Sequence, residues 1–165
     1  SRFKDFTQKY SFDMVHCVAS ATYENCNYGN YMRIGLELYH QNQVMTLKAK
    51  PIEIREVYPG ETVGYYGEYH VDEVSRIAVI PIGYGNGYRR AFEGFKVFSK
   101  GQLFPIIGRI CMNHTFVKVD ASVTCDDWFE FSSPNIKADL LASYAQCSVY
   151  EVYTMFIDES IVYQL

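Results

Sequence analysis

Tyrosines are concentrated in one part of the sequence, where they could act as acids, bases or stacking surfaces. Tyr65, Tyr66 and Tyr69 lie close together, and Tyr84 and Tyr88 follow in a glycine-rich segment. The region contains no ordinary catalytic triad, metal cluster or phosphate loop. A tyrosine, with an unperturbed pKa of about 10, needs a nearby cationic or electron-withdrawing group to act as a base. We therefore predict proton transfer by a tyrosine, with much of the partner group outside this chain.

The glycine-rich segment, residues 83–87, resembles a phosphate-binding loop only superficially. No GKS or GKT sequence follows it, and no helix is predicted behind it. The local pattern favours an Asn-Gly turn in a β-rich region instead. By this pattern alone, Tyr84 has no role.

Arg33 lies in an apolar stretch, where a guanidinium is costly unless an anion or a polar ring pairs with it. The next residues, Ile34, Gly35 and Leu36, could offer backbone N–H groups to a phosphate. Pairing of Arg33 with a core carboxylate is an equally good interpretation from the sequence alone. His16, inside another apolar stretch, is more readily interpreted as a buried, hydrogen-bonded histidine than as a ligand.

Composition limits the class of protein. The 165 residues suffice for one domain, or for one domain and a fragment of another. A net charge of -4 argues against a nucleic-acid surface, and no apolar run approaches the roughly 20 residues of a membrane span. Five widely spaced cysteines argue against a disulfide framework or a metal site, and favour reduced thiols in a cytoplasm: Cys17, Cys26, Cys111, Cys125 and Cys147.

The predicted elements change character near residue 40. Residues 2–10 have the spacing of an amphipathic helix, and residues 14–19 and 31–39 read as strands, which together suggest the end of a repeating β/α unit. Because Ser1 leads straight into a helical pattern, we expect a chain cut from a longer protein. From Met45 the apolar residues alternate, Pro51 predicts a bend, and short strands separated by turns predict a small β-barrel or sandwich. A helix is predicted after a cap at Ser133, and a closing strand over residues 149–156.

Five motifs, in order and at consistent spacing, resemble the C-terminal part of bacterial alanine racemases, which use pyridoxal 5′-phosphate (PLP) and have fold type III. Residues 16–21 (HCVASA) resemble the family's H-x-x-N-S-A segment. Residues 32–39 (MRIGLELY) resemble the segment on its last barrel strand. Residues 58–65 (YPGETVGY), 81–84 (PIGY) and 108–112 (GRICM) resemble its PGE-x-V-x-Y, PIGYADG and GRICMD blocks.

The resemblance implies a fold, a domain division and an assembly. Residues 1–40 would be the remnant of a PLP-binding (β/α)8 barrel, and residues 41–165 a mainly β domain forming a small, closed, Greek-key-like barrel. The family works as a head-to-tail homodimer, in which each active site combines the barrel of one subunit with the β domain of the other. The lysine that forms the Schiff base with PLP would lie outside this chain.

The resemblance also assigns site residues. Ser20 would bond the PLP phosphate with its hydroxyl, Gly35 and Leu36 would donate backbone N–H groups to the same phosphate, and Arg33 would face the pyridine nitrogen. Tyr65 resembles the catalytic tyrosine, which serves one enantiomer while the lysine serves the other. The backbone N–H of Met112 would meet the substrate carboxylate, and the substrate entryway would be lined by Tyr84, Arg90 and Arg109.

Some positions depart from the family pattern. Ala19 replaces an asparagine near the phosphate, whereas Asn86 and Asn113 replace aspartates. Loss of the charge at Asn113 should make the pocket more electropositive and could alter substrate choice. The usual C-terminal pattern with a phosphate-binding tyrosine has no clear match.

The implied function is racemisation of L- and D-alanine in the bacterial cytoplasm, which supplies D-alanine for peptidoglycan. We expect the 165-residue chain alone to be inactive, because it lacks the lysine and most of the barrel. Three alternatives stay open: racemisation of another small amino acid such as serine, a non-catalytic PLP-binding or interaction domain, and an unrelated β-barrel that binds an oligosaccharide or a peptide.

Overall fold

The structure is a computed structural model that describes residues 2–26, 28–35, 38 and 45–156. The chain divides into two compact units, Ser1–Val44 and Met45–Leu165. The division falls close to the position where the sequence pattern changes. Assignment of the first unit to a barrel remnant stays a prediction.

Among its described residues, the first unit has an α-helix, a 3-10 turn (Ser20–Thr22) and a pair of short parallel strands. Helix α1 spans Arg2–Lys9, as its spacing predicts. Strands β1 (Val18–Ala19) and β2 (Met32–Arg33) pair in parallel, with Ala19 opposite Arg33. Both strands are shorter than predicted, and His16 and Arg33 are exposed rather than buried. Among the described residues β2 pairs with β1 alone, and both residues of β2 are exposed.

The second unit is built on one curled antiparallel sheet. Its order is β3-β11-β8-β9-β10-β7-β4, and a separate hairpin pairs β5 with β6. The strands are β3 (Leu47–Ala49), β4 (Glu53–Val57), β5 (Thr62–Val63), β6 (Tyr69–His70), β7 (Ser75–Ile80), β8 (Lys96–Ser99), β9 (Gln102–Ile107), β10 (Thr115–Val119) and β11 (Phe129–Ser132).

Pro51 explains how the sheet curls. Strands β3 and β4 form the two edges of the sheet, yet only residues 50–52 connect them. Four residue steps reach at most about 14 Å, so the two edges must approach each other. The predicted bend at Pro51 is therefore the corner that joins the edges. Within the described residues no ladder pairs β3 with β4, so the barrel is curled rather than closed by hydrogen bonds.

The core lies inside this curl and combines aliphatic and aromatic side chains. Strand β10 shows the required alternation, because Thr115, Val117 and Val119 are buried while the residues between them are partly exposed. The Tyr88 ring lies at the centre of the core, stacked 4.7 Å from Phe92 and edge-on 4.8 Å from Phe131. Both hydrophobic clusters of the structure draw their members from the second unit alone.

Two sequence predictions about the C-terminal region are wrong. Ser133 does not cap a helix; it bridges to Ile136 in a turn, and helix α2 spans Ala138–Tyr144 with Lys137 as its N-cap. The predicted closing strand is helix α3, Val149–Met155. Its start is a capping box, in which the Ser148 side chain accepts from the Tyr150 N–H and the Glu151 carboxylate accepts from the Ser148 N–H.

No helix within the described ranges is both long enough and apolar enough to cross a membrane.

Candidate active site

Tyr65 projects from the tip of the β5–β6 hairpin. Val63 pairs with Tyr69, and a 3-10 turn, Tyr65–Gly67, connects the two strands. The Tyr65 side chain is 62% exposed. It forms no hydrogen bond, ion pair or ring contact with any described residue. The hairpin therefore leaves the phenol hydroxyl available to a group outside the described part of this unit.

Tyr66 differs from Tyr65 in its backbone conformation and in its contact with an arginine. Its φ of 62° lies in the left-handed region, which a bulky residue adopts only at a cost. The Arg109 guanidinium lies 5.5 Å from the centre of the Tyr66 ring. Arg109 also makes two charge-assisted hydrogen bonds to the Glu68 carboxylate. Arg109, which the resemblance assigns to the entryway, therefore stacks on Tyr66.

The Glu68–Arg109 pair shifts both titrations in the directions that an ion pair requires. Hydrogen bonds from Arg109 hold the pKa of the Glu68 carboxyl below its usual range. The same contacts raise the pKa of Arg109. Both side chains are partly exposed, so the ion pair adds little to the free energy of unfolding. Its main effect is to hold the Arg109 guanidinium in position beside the hairpin.

Close backbone approach joins this hairpin to the loop that carries Arg109. A Cβ on Gly108, where φ is 61°, would lie 2.9 Å from the Val63 carbonyl oxygen. A Cβ on Gly64, where φ is 84°, would lie 3.4 Å from the Arg109 backbone nitrogen. Only glycine fits both the conformation and the space at position 108. The glycine of the GRICM motif therefore fixes the hairpin against the Arg109 loop.

Tyr84 and Arg90 form a second stacked pair. The Arg90 guanidinium lies 5.2 Å from the centre of the Tyr84 ring, and its Nε donates to the Ile110 carbonyl at 3.4 Å. Tyr84 opens a 3-10 turn, Tyr84–Asn86, rather than a phosphate cradle. Asn86 closes this turn, because its Oδ1 accepts from the Gly83 N–H at 3.0 Å.

The PIGY and GRICM motifs meet through their backbones. The Tyr84 N–H donates to the Cys111 carbonyl at 3.0 Å, and the Gly85 N–H donates to the Met112 carbonyl at 2.8 Å. At Gly83 a Cβ would lie 2.2 Å from the Cys111 oxygen, which leaves no room for any side chain. The two motifs, far apart in sequence, thus form one surface because β7 and β10 place their ends together, with Thr115 opposite Ile80.

Met112 is the exposed point of that surface. Its side chain is 57% exposed, whereas the adjacent Cys111 is buried. Burial raises the pKa of the Cys111 thiol, so Cys111 packs as a neutral group. The Met112 carbonyl is occupied by Gly85, but its N–H donates to no described residue. A free N–H on an exposed loop is able to bind an anion.

In the first unit, Ser20, Arg33 and Gly35 lie at the carboxyl ends of the parallel pair β1–β2. The Gly35 N–H donates to Ser20 Oγ at 3.0 Å, so the two groups expected to share a phosphate are in direct contact. Apart from its chain neighbours, no described residue has an atom within 4 Å of the Cβ position of Gly35. Leu36, the remaining residue of the predicted set, lies outside the described residues.

Sequence reasoning missed three residues of the second-unit site. Glu68 neutralises Arg109, Tyr66 lies beneath the guanidinium, and the Glu93 carboxylate accepts from the Ile110 N–H at 3.2 Å. No sequence pattern marks Glu68 as the partner of Arg109, because the two residues lie 41 positions apart and meet only through the fold. No group of potential metal ligands occurs among the residues with described positions, where three or more would be needed.

Comparison with known proteins agrees with this arrangement. The profile of the alanine racemase C-terminal domain matches residues 44–161. An alanine racemase from Desulfovibrio desulfuricans is 37% identical over 116 residues, covering 68% of this chain and 31% of that protein. Alanine racemase 1 from Oceanobacillus iheyensis is 33% identical over 165 residues, covering 86% of this chain and 44% of that protein.

A solved structure shows the same fold. The crystal structure of alanine racemase from E. faecalis matches with a TM-score of 0.84 at 25% identity, covering 94% of this chain and 48% of that one. The mainly β architecture predicted for the second unit is thereby confirmed. The chain spans less than half the length of each of these relatives. With its profile match extending over most of the residues, the chain belongs to the alanine racemase family, of which it carries the C-terminal domain.

Proposed function

We propose that this chain is part of a PLP-dependent racemase that interconverts L- and D-alanine, with Tyr65 as one of two bases. The observation that carries the proposal is the geometry of the hairpin tip. Tyr65 is exposed and unbonded within the described residues, while the backbone beneath it is fixed by Gly108 and by the Glu68–Arg109 pair. A base that must reach a substrate needs this combination of a free hydroxyl and a rigid support.

The proposal includes a division of labour between the two units. Residues 1–40 would belong to the PLP-binding barrel, and residues 41–165 would form the β domain that reaches the active site of a second subunit. The parallel pair β1–β2 supports the first assignment, because parallel strands with crossover connections are the building units of such barrels. The parent protein would then be a homodimer with shared active sites.

The residues of the first unit fit the phosphate of PLP. The Gly35 N–H donates to Ser20 Oγ at 3.0 Å, so the two groups lie side by side, and the Ser20 hydroxyl can donate its own proton to an anion. In binding a phosphate, the Gly35 N–H would exchange the Ser20 oxygen for a phosphate oxygen, an approach that the absence of a Cβ at Gly35 favours. Arg33, directly opposite Ala19 in the strand pair, keeps a permanently charged guanidinium for the ring nitrogen. Leu36 would add a second N–H.

PLP supplies an electron sink that acidifies the substrate Cα–H. Racemisation needs a base on each face of that carbon, one to remove the proton and one to deliver a proton. Tyr65 Oη would act on one face, and a lysine from the remainder of the parent protein on the other. A tyrosine serves as a base only when positive charge lowers its pKa, so the proposal requires cationic groups around Tyr65 in the assembled site.

The second-unit loops would orient the substrate. The Met112 N–H would donate to the substrate carboxylate, and its exposed position and lack of a described acceptor support that role. Tyr84 with Arg90, and Tyr66 with Arg109, form two stacked cation–aromatic pairs that would line the entryway. Asn113, uncharged where the family pattern has an aspartate, would leave this region more electropositive.

In the cell, the proposed role is supply of D-alanine for peptidoglycan from the bacterial cytoplasm. Because the chain spans less than half the length of its relatives, we expect the 165-residue chain by itself to show no racemase activity.

The test uses the full-length parent protein with and without PLP. We expect PLP-dependent conversion of L-alanine into D-alanine, detected by a D-amino-acid-specific assay, and loss of at least about 100-fold of the rate in Tyr65→Phe. Tyr66→Phe is the matched control, since it removes the neighbouring hydroxyl but keeps the ring beneath Arg109, and it should stay within a few-fold of wild type. Serine is assayed in parallel.

Three other outcomes of this test would change or contradict the proposed function. PLP binding without racemisation of any amino acid would support a non-catalytic domain. Absence of PLP binding would contradict the whole proposal. Faster turnover of serine than of alanine would keep the chemistry and change the substrate.

A further inference from the structure

Two cysteines of the first unit meet although nine positions separate them in sequence. Cys17 Sγ lies 3.1 Å from Cys26 Sγ, and both thiols are free and half-buried. This distance is shorter than an ordinary non-bonded sulfur contact. Small rotations of the two side chains could therefore bring the sulfurs to bonding distance.

The backbone holds the two cysteines in this arrangement. The Val15 carbonyl accepts from the Asn30 N–H at 2.9 Å and from the Tyr31 N–H at 3.2 Å. His16 bridges to Gly29, whose φ of 109° allows the loop to turn back onto the strand. A Cβ at Gly29 would lie 2.4 Å from the Val15 oxygen, so this close approach requires glycine.

Neighbouring groups make the two sulfurs unequal. A hydrogen bond from the Tyr28 backbone, followed by one from the Cys17 thiol, lowers the pKa of Cys26. The hydrogen bond to Cys26 raises the pKa of Cys17. Lys4 of helix α1, whose ammonium lies 5.0 Å from the Tyr28 ring, adds a positive charge that favours thiolate at both sulfurs. The Cys17 thiol also donates to the Tyr28 carbonyl at 3.1 Å, a contact that keeps the proton on Cys17. Cys26 is therefore the sulfur better placed to react first as a thiolate.

The remaining cysteines provide an internal comparison. Cys111 is buried, Cys125 is exposed, and Cys147 is half-buried. In the described residues none of these three contacts another sulfur. The Cys17–Cys26 pair is therefore distinct in geometry as well as in charge.

We propose that Cys17 and Cys26 form a redox-modification site that reacts with low-molecular-weight disulfides. The proposal concerns the first unit alone and holds whether or not the parent protein is a racemase.

The chemistry requires one small disulfide, RSSR, as the oxidant. The Cys26 thiolate attacks one sulfur of RSSR, which forms a mixed disulfide and expels RS⁻. Cys17 then loses its proton and attacks Cys26 Sγ, which forms the Cys17–Cys26 bond and expels a second RS⁻. The two protons of the cysteine thiols end on the two released thiolates as RSH. The two cysteines lose two electrons, and RSSR gains them.

The test treats the folded full-length parent protein with oxidised glutathione, then blocks remaining thiols with an alkylating agent in acid. We expect peptide mass spectrometry to find Cys17 linked to Cys26, with Cys111, Cys125 and Cys147 alkylated. The linkage should form at least ten-fold faster than in the chain unfolded by guanidinium, where proximity is lost.

Two variants separate the roles of the sulfurs. Cys17→Ser should accumulate a stable glutathione adduct on Cys26, because the second step is removed, whereas Cys26→Ser should react slowly at Cys17. Cys125→Ser, which alters an exposed thiol outside the pair, should form the Cys17–Cys26 linkage at the wild-type rate. The proposal would be overturned if linkages to Cys125 or Cys147 formed as readily as Cys17–Cys26, or if folding did not accelerate the reaction.

Discussion

Tyr65 differs from the other tyrosines of its segment in what its side chain contacts. Tyr66 and Tyr84 each lie beneath a guanidinium, and Tyr88 is enclosed by core rings. Tyr65 has no such contact among the described residues. The four tyrosines therefore occupy three kinds of environment, and Tyr65 is the exposed tyrosine whose ring no guanidinium covers among the described residues.

Glu68 should contribute to stability only while its carboxyl is ionised. Arg109 holds the pKa of Glu68 below the ordinary value of 4.5 for a glutamate, so the contribution is complete above that pH. It is lost as the pH falls through the lowered pKa of the folded state. We expect the difference in unfolding midpoint between wild type and Glu68→Gln to be positive at neutral pH and to shrink as the pH is lowered below 4.5, measured by chemical denaturation.

Glu53→Gln is the control for general acid effects, since its 3.9 Å ion pair with Arg55 includes no hydrogen bond. High salt should also reduce the Glu68 difference, because the pair is partly exposed. If the difference in unfolding midpoint between wild type and Glu68→Gln stayed constant over the whole pH range, the charge of Glu68 would not be its cause.

Tyr88 carries a buried hydroxyl without a hydrogen-bond partner in the described residues. Burial raises the pKa of this phenol well above its ordinary value, so it stays neutral. Tyr88→Phe removes an unsatisfied polar group and keeps the stacked ring, so we expect the free energy of unfolding to rise by about 1 kcal/mol. The control has the opposite sign: Tyr144→Phe removes a hydroxyl that donates to the Glu93 carbonyl at 2.8 Å, and should lower stability. Equilibrium denaturation of both variants tests this prediction. A lower free energy of unfolding in Tyr88→Phe than in wild type would indicate that the Tyr88 hydroxyl has a hydrogen-bond partner.

At the scale of elements, the contact between the PIGY and GRICM loops should depend on Gly83. An alanine there would place Cβ 2.2 Å from the Cys111 oxygen, and neither backbone can move without disturbing the β7–β10 ladder. We expect Gly83→Ala to cost about 2–3 kcal/mol in the free energy of unfolding. Gly85→Ala, whose Cβ would lie 3.0 Å from the Met112 oxygen, should cost distinctly less. Equal losses in denaturation experiments would contradict the steric explanation.

Sequence patterns predicted elements well where the local signal agreed with the tertiary structure. The alternation after Met45 and the bend at Pro51 are confirmed. One of the turns between short strands is Lys100-Gly101, which joins β8 to β9 with left-handed φ values of 50° and 81°. Residues 149–156 are rich in β-branched and aromatic residues, which favour a strand. The capping box at Ser148 and Glu151 starts a helix there instead, and it is a signal that the sequence contains.

The site was less predictable than the fold. The resemblance to the family predicted five site residues in the second unit: Tyr65, Tyr84, Arg90, Arg109 and Met112. It did not predict which of these side chains contact one another. Which aromatic ring each arginine covers depends on loop geometry, such as the left-handed Tyr66, and no periodicity encodes it. The Cys17–Cys26 contact was missed for a related reason, because it arises from a loop folding back onto a strand.

At the scale of the whole molecule, the second unit should fold by itself. Its sheet and both hydrophobic clusters are formed by residues 47–156. A domain that contains its own core can fold alone. We expect residues 45–165, expressed without the first unit, to unfold cooperatively, with a free energy of unfolding within about 0.5 kcal/mol of that of the same transition in the longer chain.

Calorimetry and circular dichroism measure both the transition and the β content. A broad, non-cooperative transition in the shorter chain would show that the first unit is required for the second to fold.

The most direct measurement of the central claim is Cα hydrogen exchange by Tyr65→Phe in the full-length protein, in deuterium oxide with PLP. Because the two enantiomers are equal in free energy, loss of one base must slow racemisation equally in both directions. Each enantiomer, however, loses its proton to only one of the two bases. We predict that Tyr65→Phe still exchanges the Cα hydrogen of one enantiomer, while exchange of the other falls at least about 100-fold. Wild-type exchange rates for both enantiomers would contradict the assignment of Tyr65 as a catalytic base.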